Sequence, residues 1–184
     1  MKKGFTLIEL LIVIAILAIL ATAVVLVLNP AQILAQARDS QRISDLGNVK
    51  SAIALYLATA TSATMTASTT CTATGCTANC FASTSTLVVV SSTVITGAGW
   101  VGGINFQSIS AGSPLGALPL DPKNDSTYYY AYRGSTAGSF KLGGRLESSK
   151  YRTTMTTDGG IANNCPSTFT EETCFYEIGT NLAL

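Results

Sequence analysis

The sequence contains no histidine among its 184 residues, which removes the side chain on which many enzyme centres depend. Without an imidazole there is no Ser-His or Cys-His nucleophile pair, no histidine-ligated metal and no imidazole acid or base. The adjacent acids Glu171 and Glu172 lie in a threonine-rich segment with no recognisable partner. No glycine-rich phosphate loop precedes a helix. We therefore expect a protein that is not an enzyme.

Charged residues are also scarce, at 11% of the chain, and the net charge is only +1. Such a balance is not that of a strongly basic nucleic-acid-binding protein. One modest basic run leaves nucleic acid open as a partner, with a solvated surface as the plainer alternative. The run consists of Arg133, Lys141, Arg145, Lys150 and Arg152, and Glu147 is the only acidic residue within it.

One long segment has no charge at all. The run from Leu10 to Leu28 is apolar except for Thr22, and as a helix it would span about 28 Å, close to the roughly 30 Å core of a bilayer. Because it is apolar on every side, we expect it to face lipid or to be wholly buried. Lys2 and Lys3 precede it and should stay cytoplasmic, which directs the rest of the chain outward.

A carboxylate, Glu9, stands at the entrance to this run, where it is costly unless a partner neutralises it. Two plainer interpretations compete. One is a secretory signal cleaved near Ala21-Thr22-Ala23, although the apolar run continues beyond Ala23. The other is a simple membrane anchor in which Glu9 favours the helix dipole, but this leaves Gly4-Phe5-Thr6 unexplained.

The residues Lys2-Lys3-Gly4-Phe5-Thr6-Leu7-Ile8-Glu9, followed by the apolar run, resemble the type IV pilin family, which includes the pseudopilins of type II secretion. The resemblance implies a prepilin leader over residues 1–4, cleavage by a prepilin peptidase between Gly4 and Phe5, and N-methylation of Phe5. It also implies that Glu9 meets the amino terminus of a neighbouring subunit during assembly. Opposite charges about 4 Å apart attract far more strongly in a low-dielectric core than in water.

The same resemblance implies a homo-oligomeric helical filament, a type IV pilus (fimbrium) or a pilus-like fibre, with pilus assembly platform proteins as further partners. Before assembly we expect a single-pass protein of the cytoplasmic (inner) membrane with its amino terminus in the cytoplasm. After assembly we expect an extracellular or periplasmic filament. The alternatives are a type II secretion pseudopilin and a membrane-anchored binding module that does not polymerise. Adhesion, twitching, DNA uptake and secretion all stay open.

Asn29-Pro30 ends the apolar run and predicts a kink or local unwinding near residues 26–30. We predict a long helix over residues 5–57, with 5–28 as its transmembrane or filament-core half. The second half is amphipathic, with Arg38, Asp39, Arg42, Asp45 and Lys50 between the apolar positions. Those positions recur at three- and four-residue steps: Ile33, Leu34, Ala37, Ile43, Leu46, Val49, Ile53, and Tyr56 or Leu57.

The remainder, residues 58–184, has the length of one small globular head. It begins with a Thr/Ser/Ala-rich surface loop, either unmodified or carrying glycans. Strands are predicted at 87–96, 100–109, 127–133 and 140–147, with a hairpin connection at 134–138. In the last strand Phe140, Leu142 and Leu146 alternate with Lys141, Arg145 and Glu147, which is typical of a sheet with one wet face. The expected fold is α+β: a long amino-terminal helix packed on a small antiparallel sheet, as in pilins.

A looser resemblance links Leu118-Pro119-Leu120-Asp121-Pro122 and Tyr128-Tyr129-Tyr130-Ala131-Tyr132 to pseudopilins of the major type, which implies a possible calcium site. Asp121 and Asp125 are the candidate carboxylates, with Asn124 and Ser126 as further oxygen donors. Calcium takes about six to eight oxygens, however, and an Asx-capped turn explains these residues without metal. We expect no cofactor, with calcium as the alternative.

The five cysteines suit an oxidising compartment outside the cytoplasm. Cys165 and Cys174 resemble the disulfide-closed terminal loop of many pilins. Cys71, Cys76 and Cys80 leave one pair and one odd thiol, and their spacing does not decide which two pair. Zinc is the alternative for three clustered cysteines, but the fourth ligand would have to come from afar.

Overall fold

The structure is a computed structural model that describes residues 4–60, 63–76, 81, 87–162 and 174–184, with backbone only at 26–28. The chain forms two compact units that divide between residues 35 and 36. Several residues singled out above lie outside the described ranges: Lys2, Lys3, Cys80, Cys165, Glu171 and Glu172.

The first unit contains helix α1, Leu7–Leu28. Thr6 caps its start in an extended conformation, because its hydroxyl accepts the Glu9 amide. The helix ends at Asn29, which adopts the left-handed conformation (φ 41°, ψ 76°) that commonly closes a helix before proline. The interruption predicted at Asn29-Pro30 is therefore present, and the helical span predicted as 5–57 consists of two helices.

Helix α2, Pro30–Thr59, enters the second unit at residue 36. Its apolar side chains Leu46, Val49, Ile53 and Tyr56 are buried in the main core of this unit. The three- and four-residue steps predicted this face correctly from Leu46 onward. The first members of the predicted stripe, Ile33, Leu34 and Ala37, are instead exposed.

A five-stranded sheet completes the second unit, in the order β2-β1-β3-β4-β5. Every neighbouring pair is antiparallel except β1 with β2, so the predicted α+β class is confirmed with a mixed sheet. The strands, in chain order, are β1 Ser68–Cys71, β2 Val88–Val89, β3 Tyr130–Gly134, β4 Phe140–Gly144 and β5 Tyr176–Gly179.

The hairpin predicted between 127–133 and 140–147 is present as β3 and β4, in a register that pairs Tyr130 with Gly144 and Gly134 with Phe140. The two strands predicted before it are largely wrong. Only Val88–Val89 is a strand within 87–96, and 100–109 folds irregularly around a short 3-10 turn at Phe106–Ser108. Among the described residues, the backbone pairing of this second segment is limited to an isolated antiparallel bridge between Thr96 and Asn105, and burial of its apolar side chains explains its composition.

Both faces of the sheet are covered. Tyr130, Tyr132 and Leu142 belong to the core that includes α2, whereas Tyr129 and Ala131 belong to a second core on the opposite side with Phe81 and Phe175. The wet face predicted for β4 is therefore wrong: every residue from Phe140 to Gly144 is buried, including Lys141. Along β4 the charged and apolar residues alternate between two faces of the sheet. Both faces are buried, because the second core covers the face that was predicted to contact water. A short helix, α3 (Arg152–Thr157), follows β4 and contributes the buried Met155.

Candidate functional site

The residues of the predicted processing site precede α1 and are not helical. Gly4, Phe5 and Thr6 lie outside regular secondary structure, and the Phe5 side chain is 80% exposed. Around Gly4 the chain leaves open space, since no atom lies within 4 Å of where a side chain would begin. The Gly4–Phe5 peptide bond is thus exposed on a segment that an enzyme can bind in extended form.

Glu9 takes part in the cap of α1. Its amide donates to the Thr6 hydroxyl oxygen at 3.3 Å, and its carboxylate Oε2 accepts from the Thr6 hydroxyl at 3.3 Å and from the Thr6 amide at 3.5 Å. This reciprocal arrangement is a capping box. The Glu9 side chain is exposed, and the long distances mean that a better partner can displace these contacts.

The surface of α1 is apolar all round. The segment Leu7–Val25 is long and apolar enough to cross a membrane, and none of its residues is buried. Its one hydroxyl, on Thr22, donates to the Ile19 carbonyl at 2.8 Å, so it presents no unsatisfied donor. A signal sequence would meet the same criteria of length and composition. What distinguishes this segment is the carboxylate at its head.

In the second unit, the largest group of charges surrounds Arg42, whose side chain is fully buried. Its guanidinium contacts Asp39 at 3.0 Å, Asp121 at 2.6 and 2.9 Å, and Glu147 at 2.8 Å. The Asp121 contact uses two nitrogens and both carboxylate oxygens, which is the strong bidentate arrangement. We call Arg38, Asp39, Arg42, Asp121, Lys123 and Glu147 the Arg42 cluster.

The outer members of the Arg42 cluster complete its charge balance. Arg38 donates twice to Glu147, at 2.9 and 2.7 Å, and the Lys123 ammonium lies 2.9 Å from the same carboxylate. Asp39 accepts the backbone amides of Glu147 and Ser148 at 2.8 and 2.7 Å, which ties the end of β4 to α2. The cluster therefore joins the helix, the loop at Asp121 and the segment after β4.

Burial and pairing act in opposite directions on the ionisation of these groups. Burial alone would raise the pKa of Glu147, but the hydrogen bonds from Arg38, Lys123 and Arg42 outweigh it and lower that pKa to about 2. Burial alone would lower the pKa of Arg42, yet its contacts with Asp121 and Glu147 raise it above the ordinary value. Both groups are therefore charged at neutral pH. The arrangement is a set of paired charges that joins three segments of the fold.

Sequence reasoning missed this cluster because it assigned Asp39 and Arg42 to the polar side of α2. Both are fully buried and occupy the helical face that continues into Leu46 and Val49. The available signal was the spacing: Asp39, Arg42 and Leu46 are three and four residues apart, as on one face of a helix. A search for hydrophobic periodicity alone does not predict that a charged residue is buried in a core.

The calcium candidates are both engaged by the protein. Asp121 binds Arg42 and accepts the backbone amides of Lys123 and Asn124, while Asp125 accepts the amides of Thr127 and Tyr128 at 2.8 Å. The Asn124 side chain is held by Thr72 through two hydrogen bonds. These are the contacts of Asx-type turns. A cation at Asp121 would have to displace a guanidinium, and calcium binding stays a prediction.

The basic run does not form a surface. Lys141 is fully buried and Arg145 is 5% exposed, so two of the five cations on which the possible DNA contact rested are not available to phosphates. These cations are inaccessible because the second face of the sheet is buried. The same burial explains why the prediction of a solvent-exposed face on β4 was wrong. Nucleic-acid binding stays a prediction and could draw only on the other three cations of the run.

Among the cysteines, Cys71 at the end of β1 is joined to Cys76 by a disulfide bond. Cys174 is also a disulfide cysteine, and it lies beside Met155. The predicted partner Cys165 and the odd thiol Cys80 fall outside the described ranges, so the Cys165–Cys174 pair stays a prediction. Cys71 is buried, which places its disulfide inside the second core.

Comparison with known proteins gives a match at the amino terminus. A family profile described as the prokaryotic N-terminal methylation motif matches residues 1–25. This is the prepilin motif of type IV pilins and pseudopilins, which confirms the resemblance found at Gly4, Phe5 and Glu9. It supports a pilin-like or pseudopilin precursor and points to a structural subunit. No curated protein and no solved structure gives a significant match.

Replacing Arg42 with methionine should destabilise the second unit by about 3–5 kcal/mol, because Asp39 and Asp121 would be left buried without a counter-charge. The exposed Lys50 of the same helix provides the control, and Lys50→Met should change the free energy of unfolding by less than about 0.5 kcal/mol. Denaturant unfolding in detergent, followed by the fluorescence of Trp100, the chain's one tryptophan, measures both. Equal stability of the two variants would contradict the role of the cluster.

Glu147→Gln should change the acid dependence of stability. The folded pKa of Glu147 is about 2 against an ordinary value of 4.5, so its charge stabilises the fold above pH 4.5 and this contribution is lost as the pH falls toward 2. The wild type should therefore be more stable than the variant at pH 7, and the difference should shrink between pH 4.5 and 2. A difference in the free energy of unfolding between wild type and variant that stays constant from pH 4.5 to 2 would show that pairing of the Glu147 charge does not stabilise the fold.

Proposed function

We propose that this protein is a structural subunit of a type IV pilus or pilus-like filament, made as a prepilin, cleaved after Gly4, N-methylated at Phe5 and assembled through α1. The observation that carries the proposal is the combination found at the amino terminus. The methylation motif covers residues 1–25, and within it a single carboxylate lies in the first turn of a helix that is otherwise apolar on every side.

The apolar surface of α1 requires an environment that excludes water. Exposed side chains such as Ile8, Leu10 and Leu17 would each gain roughly 1.5–3 kcal/mol from full burial. A bilayer provides that environment before assembly, and the packed helices of neighbouring subunits provide it afterward. The motif and the helix together fit a membrane-anchored precursor that is later part of an extracellular filament.

Glu9 would direct the assembly step. Cleavage after Gly4 creates a charged amine at Phe5, and in a water-excluding bundle this cation needs a carboxylate partner. Glu9 is exposed and held only by the long capping contacts to Thr6, so it can turn to the amine of a neighbouring subunit. In this proposal the prepilin peptidase and the assembly platform act before this contact forms.

Processing can be tested directly on the protein from cells that contain a prepilin peptidase. We expect the mature amino terminus to be N-methyl-Phe5, because the methylation motif covers this site and Gly4 and Phe5 are exposed. Mass spectrometry of the amino-terminal peptide measures this. Gly4→Ile should block cleavage by filling the open space at Gly4, whereas Gly116→Ile, in an equally open position within the second unit, should leave it unchanged. An amino terminus that retains residues 1–4, or that begins after Ala23, would refute the proposal.

Replacing Glu9 with glutamine should abolish filaments while leaving membrane insertion intact. Glutamine keeps the capping box but removes the charge, so an unpaired amine would stay buried at a cost of about 3–5 kcal/mol per subunit. Electron microscopy of surface filaments and fractionation of membranes measure the two outcomes. Thr6→Ala is the matched control, since it removes the cap contact but keeps the carboxylate, and its filaments should form.

Normal filaments from Glu9→Gln would rule out the assembly contact. Membrane-inserted wild-type protein with no filaments, in cells that have a working assembly platform, would favour the non-polymerising binding module. Filaments that accumulate only when a type II secretion system is overproduced would favour the pseudopilin alternative.

A further inference from the structure

Strands β4 and β5 hold a second pair of opposite charges, separate from the Arg42 cluster. Lys141 and Glu177 are both fully buried, and the Nζ atom of Lys141 lies 2.6 Å from Oε1 of Glu177. The two residues are diagonal neighbours, because Lys141 pairs with Gly179 and Gly143 with Glu177. Within the described part of the chain, no contact with hydrogen-bond geometry reaches Oε1. The nitrogen is thus in close contact with the carboxyl group without the alignment of an ordinary hydrogen bond.

The protein holds both groups in place and keeps water away. Oε2 of Glu177 accepts the Ala162 amide at 2.8 Å, and a side chain at Gly160 would collide with that oxygen. On the other side, Nζ of Lys141 donates to the Leu182 carbonyl at 3.2 Å and lies 5.3 Å from the centroid of the Phe81 ring. Each group is therefore held by further contacts while Nζ of Lys141 and Oε1 of Glu177 lie 2.6 Å apart.

A third titratable group adjoins the pair. Asp158 accepts the backbone amide of Glu177 at 2.7 Å and that of Gly160 at 2.9 Å. Burial raises the pKa of Asp158, against the lowering effect of these two hydrogen bonds. The site thus contains an amine, a carboxyl group as its acceptor and a second carboxyl group nearby.

We propose that Lys141 and Glu177 form an intramolecular isopeptide bond, so that an amide ties β4 covalently to β5. The ammonium first gives one proton to the carboxylate, which leaves a neutral amine and a neutral carboxyl group. The nitrogen lone pair then attacks Cδ of Glu177 and a C–N bond forms. One C–O bond breaks, and its oxygen leaves with two protons as water. The condensation needs no oxidant, reductant or co-reactant.

Two physical effects favour this reaction. A buried interior penalises two charges far more than a neutral amine and acid, or the amide that they form. Holding the reactants in contact also replaces a bimolecular encounter by an intramolecular step, which is worth effective molarities of about 10⁵–10⁸ M in well-oriented cases. The product would secure β5, an edge strand that pairs only with β4 among the described strands. The bond does not depend on whether the chain polymerises.

Peptide mapping tests the proposal on the full-length protein purified in detergent. The sample is reduced and alkylated, so that no disulfide links peptides, and then digested with trypsin. Trypsin does not cut after an acylated lysine, so residues 134–145 should emerge as one peptide linked to residues 153–184. The linked product should be lighter than the two separate peptides by one water molecule. Cleavage after Lys141, with residues 153–184 at their unmodified mass, would overturn the proposal.

Two variants test whether Lys141 is the lysine that forms the bond. Lys141→Met removes the amine and should release residues 153–184 as a free peptide, whereas Lys150→Met removes an exposed lysine outside the site and should keep the link. If Lys141→Met does not accumulate, fragmentation of the wild-type product decides the same point, since it must place the amide between Lys141 and Glu177. A link at any other pair, or one that persists in Lys141→Met, would refute this site.

Discussion

The guanidinium of Arg42 is the contact on which the arrangement of the second unit depends. It contacts Asp39 on its own helix, Asp121, which lies 79 residues after Arg42, and Glu147 after β4. Each of these charges would be costly to bury alone, so the three segments must come together for any of them to leave water. Electrostatic pairing thereby sets the position of α2 along the sheet, and the apolar residues from Leu46 onward then pack on that side.

Prediction from sequence succeeded where the informative pattern is local. The break at Asn29-Pro30 and the apolar face from Leu46 to Tyr56 each follow from neighbours within a few turns of helix. The hairpin of β3 and β4 follows from alternating residues and a short glycine-containing connection. The methylation motif is local as well, and the family profile confirmed it over residues 1–25.

Prediction failed where a distant segment decides the environment. Lys141 was assigned to water because charges alternate with apolar residues along β4, and nothing near it in sequence shows that Phe81 and Phe175 cover that face. The Arg42 cluster was missed for the same reason, since Arg42 pairs with Asp121, 79 residues away, and Asp39 accepts the amides of Glu147 and Ser148, more than a hundred residues away. The segment 100–109 has strand-like composition, but its apolar side chains fill a core and, within the described part of the chain, its backbone forms only an isolated bridge at Asn105.

The uniform surface of α1 also bears on how such a helix can be oriented among identical copies. A helix with one apolar face has a preferred azimuth, because rotation about its axis exposes or buries that face, but α1 has no such face. Between lipid and a bundle of like helices, apolar side chains alone give little preference for one rotation or one axial offset over another. Glu9 removes this ambiguity, because a single carboxylate near one end of α1 defines both a rotation about the helix axis and a position along it.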